Sequence, residues 1–144
     1  MKQILISMAT VCMLSLQMVQ GQEVLPMQGT QMTLARPNGV AFRELSFSDA
    51  LKIAREENKL LFVDCFTTWC GPCRMLSKVV FKDSLVADYF NSHFVNLKMD
   101  MEKGEGPALA KKLGIGAYPT FVLIKPDGTV HDKLVGGSDV AGII

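Results

Sequence analysis

The sequence lacks any block of like charge. Its 15 Lys and Arg stand against 14 Asp and Glu, for a formal net charge of +1 over 144 residues. That balance carries no nucleic-acid footprint, and the lone Lys111-Lys112 pair reads as a solvated helix face. Cysteine is scarce, at 4 residues. Cys12 lies in an apolar N-terminal segment, which leaves Cys65, Cys70 and Cys73, and three do not make a disulfide framework. His93 and His131 lack ligand spacing relative to the cysteines, so no metal and no cofactor is expected. The apolar run Ile4–Val19 is interrupted by Ser7, Thr10, Ser15 and Gln17, and is too short and too mixed for a membrane span. What is present is 49% apolar and 20% charged residues, enough for one globular domain with a sizeable core.

Residues 1–21 have the form of a secretory signal. Lys2 supplies the positive start, the apolar run follows, and Val19-Gln20-Gly21 approximates a small-residue exit. Cleavage after Gly21 and export to a periplasm-type compartment are the expectation, with retention as a membrane anchor the alternative. Residues 22–39 are polar, carry Pro26, Gly29, Pro37 and Gly39, and read as a linker or N-terminal arm.

From residue 40 the pattern becomes regular. Val40-Ala41-Phe42 opens a short strand. Ser46 to Asn58 reads as a helix, capped by Ser46 or Ser48, with Phe47, Ala50, Leu51 and Ala54 at helical spacing. Leu60–Phe66 lacks polar alternation and reads as a strand buried on both faces. A helix is predicted from Gly71 to Phe81, and a shorter one from a Ser84 cap through Phe90. Phe94–Met99 is a strand with Val95, Leu97 and Met99 on one face. Pro107 suits the first position of a helix containing Leu109 and Leu113. Phe121–Ile124 and Thr129–Val135 flank the turn Pro126-Asp127-Gly128 as a hairpin, and Ser138 caps a last helix that is cut short at Ile144. Strands alternating with helices, then a hairpin, predict an α/β chain: a mixed central sheet with helices on both faces.

The chemistry centres on Trp69-Cys70-Gly71-Pro72-Cys73. Two cysteines at this spacing can close a disulfide with each other. A strand delivering Cys70 to a helix N-terminus sets its sulfur beside unpaired N–H groups and the positive end of the helix dipole, which favours thiolate over thiol. Cys70 is therefore the candidate nucleophile, with an accessible sulfur, and Cys73 the resolving thiol one turn on. Pro72 fixes φ between them. Asp64 in an apolar strand is costly as a charge, so its pKa should rise, which suits it to take a proton from Cys73 and return it. Alternatives remain: a structural disulfide for the pair, a solvent-facing Asp64, and plain packing for Trp69 and Tyr118. Cys65, alternating with Asp64, reads as a small core side chain.

These residues together resemble the thioredoxin superfamily. Trp69 to Cys73 matches its active-site sequence, Asp64 falls six residues before Cys70 where those proteins keep a buried acid, and Tyr118-Pro119-Thr120 falls at their cis-proline. Gly136 matches the glycine after the final strand. The matches run over about residues 40–140 in the right order, and the secretory start looks most like exported bacterial members. The resemblance implies a thioredoxin fold over residues 40–144, a redox-active Cys70–Cys73 disulfide, and a cis Pro119. It further implies partner contacts from Tyr118, Pro119 and Thr120 and an active-site loop of Trp69, Gly71 and Pro72. Two departures stand out. Asn96 occupies the place where thioredoxins commonly carry a lysine near the acid, and Lys98 is not assumed to replace it. Tyr118 stands where cytosolic members usually carry Ile.

The activity so implied is thiol:disulfide exchange in the reducing direction on disulfide-bonded exported proteins. Gly-Pro between the cysteines resembles reducing members, with a potential near about −270 mV. An oxidising compartment then requires a reductant, for which a membrane-embedded donor is the family-like choice. The alternatives are an isomerase or oxidant of the same fold, or a thioredoxin-like module that binds partners without redox work.

Overall fold

The computed structural model describes residues 38–136. The signal expected at 1–21, nearly all of the arm at 22–39 and the helix expected from Ser138 lie outside the described residues.

Five strands form one sheet in the order β1-β3-β2-β4-β5: β1 Phe42–Arg43, β2 Leu60–Phe66, β3 Phe94–Asp100, β4 Thr120–Ile124 and β5 Val130–Val135. β3 runs parallel to both β1 and β2, whereas β4 is antiparallel to β2 and to β5. Four helices accompany it: α1 Phe47–Glu56, α2 Gly71–Lys78, α3 Ser84–His93 and α4 Gly106–Leu113. This is the mixed sheet with helices on both faces that the sequence implied.

β2 is the central strand, and its alternation divides the core. Leu61, Val63 and Cys65 face one side, packed with Ala50 and Ala54 of α1 and Leu109 and Leu113 of α4. Phe62 faces the other, among Leu76 of α2, Phe81, Phe90 of α3, Phe94 and Phe121. The Phe62 ring is fully buried and meets Phe90 edge-on at 4.8 Å and Phe121 at 5.6 Å. Asp64 shares the Phe62 parity, so the strand carries its one acid toward the α2 side.

Several boundaries differ from the sequence reading. α2 stops at Lys78 instead of continuing to Phe81, and a 3-10 turn follows over Val80–Lys82. The β-branched pair Val79-Val80 is stiff and a poor helix former. The tighter turn leaves Val79 exposed and swings Phe81 into the aromatic core. It also presents the Phe81 carbonyl to the Val40 N–H at 2.7 Å, and a Cβ on Gly39 would lie 2.4 Å from that oxygen. Val40 and Ala41 are thereby tied to Phe81 and to the Asn91 side chain, so β1 begins only at Phe42. α3 is capped by Asp83, whose carboxylate accepts from the Leu85 and Val86 N–H groups, and not by Ser84. α1 takes Ser46 as its cap, accepting from the Asp49 N–H at 3.0 Å, and ends before Asn58, which turns the chain at φ +50°.

Candidate active site

β2 ends at Phe66, and the chain turns through Thr67 and Thr68 to Trp69 and Cys70. Cys70 is the N-cap of α2. Its sulfur accepts the Cys73 N–H at 3.2 Å, and its carbonyl accepts the Arg74 N–H at 3.2 Å. Gly71 and Pro72 form the first turn, where a missing proline donor costs the helix nothing. Cys70 and Cys73 are joined as a disulfide, with Cα atoms 5.3 Å apart.

Accessibility is where the sequence reading needs correction. Cys70 was expected to present an open sulfur, yet Cys70 and Cys73 are each only 3% exposed. The disulfide holds the Cys70 sulfur back against the first turn of α2, within reach of a backbone N–H. The exposed apolar groups here are Trp69, at 64%, and Met75, at 49%. What separates the two sulfurs is position at the helix start, not exposure.

Asp64, on β2 six residues before Cys70, is 1% exposed. Burial pushes its carboxyl up to about 6, and the neighbouring Lys98 charge partly offsets that rise. Lys98 is its direct partner in the β2–β3 register, and its ammonium lies 3.3 Å from Asp64 Oδ2. The same ammonium donates to the Ser77 hydroxyl on α2 and sits over the Phe66 ring at 4.9 Å. Ser77 in turn donates to the Cys73 carbonyl at 2.9 Å. Asp64, Lys98, Ser77 and the backbone of Cys73 are thus one connected chain. A cavity of about 270 Å³ walled by Thr67, Cys73, Ser77 and Lys98 adjoins it. Asp64 Oδ1 and Thr67 Oγ1 are buried with no hydrogen-bond partner.

Asn96 points its amide to the Phe90 carbonyl at 3.3 Å and to Asn91 Oδ1 at 3.2 Å. It pairs in register with Phe62, not with Asp64. The cation beside the acid therefore comes from Lys98, two residues further along β3, a replacement the sequence alone did not license.

The Tyr118–Pro119 peptide bond is cis. The Pro119 carbonyl accepts the Gly136 N–H at 2.8 Å. Tyr118 is half-buried, and its ring meets Trp69 edge-on at 5.9 Å, which brings the turn before β4 against the residue preceding Cys70. Burial first, and then Glu102, push the Tyr118 hydroxyl pKa up. Thr120 differs from the substrate-facing role expected for it. It is 1% exposed, and its hydroxyl donates to the Ala117 carbonyl at 2.8 Å, so its side chain braces the turn.

The sequence reading missed Glu102, which lay in a loop without periodicity. Its two carboxylate oxygens each accept the Trp69 indole N–H at 3.0 Å. Cys65 is fully buried and free, and burial pushes its thiol up to about 12, so it behaves as a core side chain. Among the described residues no cluster of His, Cys, Asp and Glu could hold a metal ion, and no helix is long and apolar enough to cross a membrane.

The Thioredoxin family model matches residues 40–144. Thioredoxin H2 of Arabidopsis thaliana is 36% identical over 115 residues, which is 75% of this chain and 80% of the relative. Thioredoxin H4 of the same plant is 44% identical over 85 residues, covering 59% of this chain and 66% of its own. Among solved structures, a candidate disulphide-isomerase from Bacteroides thetaiotaomicron is 70% identical, with a TM-score of 0.66 over 73% of this chain and 87% of that one.

Proposed function

We propose that the chain, which belongs to the thioredoxin family, is a thiol:disulfide oxidoreductase working in the reducing direction on disulfides of exported proteins. The observation that carries this reading is the Cys70 sulfur at the N-cap of α2, bonded to Cys73 and accepting its N–H. In the reduced protein that position favours a Cys70 thiolate. The thiolate attacks one sulfur of a partner disulfide, and the partner's other sulfur leaves as a thiolate. Cys73 then gives its proton to Asp64 and attacks the Cys70 sulfur. The partner leaves as two thiolates, one taking the proton held on Asp64 and the other a proton from solvent, and the protein is left with the Cys70–Cys73 disulfide. Two electrons from a donor restore the dithiol; a membrane-embedded reductant is the donor we propose.

Asp64 suits the proton step because burial holds its carboxyl near 6, ionised at neutral pH yet basic enough to accept. Half-buried Tyr118, its ring against Trp69, supplies the surface against which an extended partner segment would lie, whereas Pro119, expected to share that role, is buried behind it. Export is supported by Lys2 and the interrupted apolar run that follows it.

Trapping tests this reading. A Cys73→Ser variant is expected to accumulate partners disulfide-linked through Cys70, and Cys70→Ser to abolish turnover. Partner binding that survives in Cys70→Ser, with no disulfide reduction by the wild type, would reduce the domain to a binding module. An isomerase is the second reading, favoured by the 70% identity to the candidate disulphide-isomerase of Bacteroides thetaiotaomicron. Equilibration with glutathione separates the two: about −270 mV supports reduction, and a value well above about −200 mV supports isomerisation or oxidation.

A further inference from the structure

Trp69 immediately precedes the nucleophile, and an indole 64% exposed would ordinarily sample several rotamers. Here it is held from two sides. Glu102 takes its N–H with both oxygens at 3.0 Å, and the Tyr118 ring closes on it edge-on. One side chain thereby ties together the β2–α2 turn, the β3–α4 loop and the turn before β4.

The loop that carries Glu102 is itself fixed. The Glu102 N–H donates to Asp100 Oδ1 at 3.0 Å, and the Met101 N–H donates to the Phe66 carbonyl at 2.8 Å. Gly106 closes against the same loop so tightly that a Cβ there would lie 2.0 Å from the Asp100 carbonyl oxygen. Glu102 is exposed, and among the described residues no Lys or Arg pairs with it. The nearby Lys103 is instead 3.5 Å from Asp100. Arg74 donates to the Thr68 carbonyl at 3.0 Å and not to Glu102. The carboxylate that holds Trp69 therefore has no ion-pair partner among the described residues.

We infer that Glu102 is a positioning and charge-selecting residue of the reactive face: it fixes the Trp69 indole beside Cys70 and favours partner disulfides flanked by lysine or arginine. This rests on the reductase reading, since it concerns which disulfides are reduced. Each exchange oxidises the two thiols of Cys70 and Cys73 and reduces one peptide disulfide, so no further reactant enters the test.

The experiment uses pre-reduced protein and three oxidised peptides that differ only in Lys, Gln or Glu beside the disulfide. The wild type is expected to reduce the Lys peptide about two- to fivefold faster than the Glu peptide, the range of an exposed ion pair, with the difference shrinking as salt is raised. Trp69 is the chain's 1 tryptophan, so its fluorescence anisotropy reads the indole directly. Glu102→Gln keeps an acceptor for the indole and is expected to keep the anisotropy while losing the charge preference. Glu102→Leu is expected to lose both and to slow the Gln peptide as well. Equal wild-type rates on the Lys and Glu peptides, or a preference that survives in Glu102→Gln, would overturn the charge-selecting role. Unchanged anisotropy in Glu102→Leu would overturn the positioning role. A wild type that reduces none of the three peptides would instead sink the reductase reading.

Discussion

Lys98 Nζ stands 3.3 Å from Asp64 Oδ2, the two residues being direct partners across the parallel β2–β3 pair. The acid is buried on a central strand, whereas the lysine reaches it with a side chain 23% exposed. A carboxylate taken out of water beside an ammonium that is only partly desolvated has a pKa set by two opposing effects, and burial wins here.

Replacing Lys98 by Met should remove the offsetting charge and move the Asp64 pKa above about 6. The rate at which Cys73 releases a mixed disulfide should then shift to higher pH. Carbon NMR titration of the Asp64 carboxyl reads the first effect, and the pH profile of mixed-disulfide decay reads the second. An unmoved carboxyl titration would show that the ammonium exerts no electrostatic hold on the acid.

Asp64→Asn should slow turnover by about a hundredfold at neutral pH, the lower end of what general acid–base catalysis supplies. Stopped-flow reduction of a peptide disulfide checks it. The substitution should also stabilise the oxidised fold at high pH. The Asp64 pKa is raised in the folded state, so its favourable contribution is complete below the unfolded value near 3.8 and is lost as pH rises through about 6. About two pKa units at roughly 1.4 kcal/mol each make the wild type about 3 kcal/mol less stable above that window than below it, relative to the variant. Urea melts of both proteins at pH 3.5 and pH 8 measure the difference.

Cys65 should resist alkylation in the folded protein. With its thiol pushed up to about 12, only about one molecule in ten thousand is thiolate at pH 8, and the side chain is fully buried besides. Iodoacetamide added to the reduced native protein is expected to label Cys70, and to label Cys65 only after denaturation. Mass spectrometry of the peptides decides it.

Phe62→Ala should cost about 3–5 kcal/mol, because the ring is fully buried among Phe81, Phe90, Phe94 and Phe121 on the α2 side of the sheet. Chemical denaturation reads the loss.

Much of this was legible in the sequence where a local rule decides the outcome. The doubly apolar run gave β2 its bounds, and the Cys-x-x-Cys spacing after a strand located the helix N-terminus. Three features escaped for one physical reason: they depend on which elements become neighbours. The Lys98–Asp64 pair requires knowing that β3 lies beside β2 in parallel register. The Glu102–Trp69 bond joins residues 33 apart through loops without a period. The end of α2 at Lys78 follows from the aromatic core drawing Phe81 inward, which outweighs the helical continuation suggested by the apolar positions.

The cap of α2 and the sulfur proposed as the nucleophile are one atom, the Sγ of Cys70. Helix energetics and electron affinity are consequently coupled in a closed thermodynamic cycle. Any change that strengthens the grip of the first turn on an anionic sulfur lowers the free energy of the dithiol state and makes the protein a better oxidant. Any change that loosens it makes the protein a better reductant. Substitutions within Gly71–Lys78 therefore tune the direction of electron flow even where they never touch a partner.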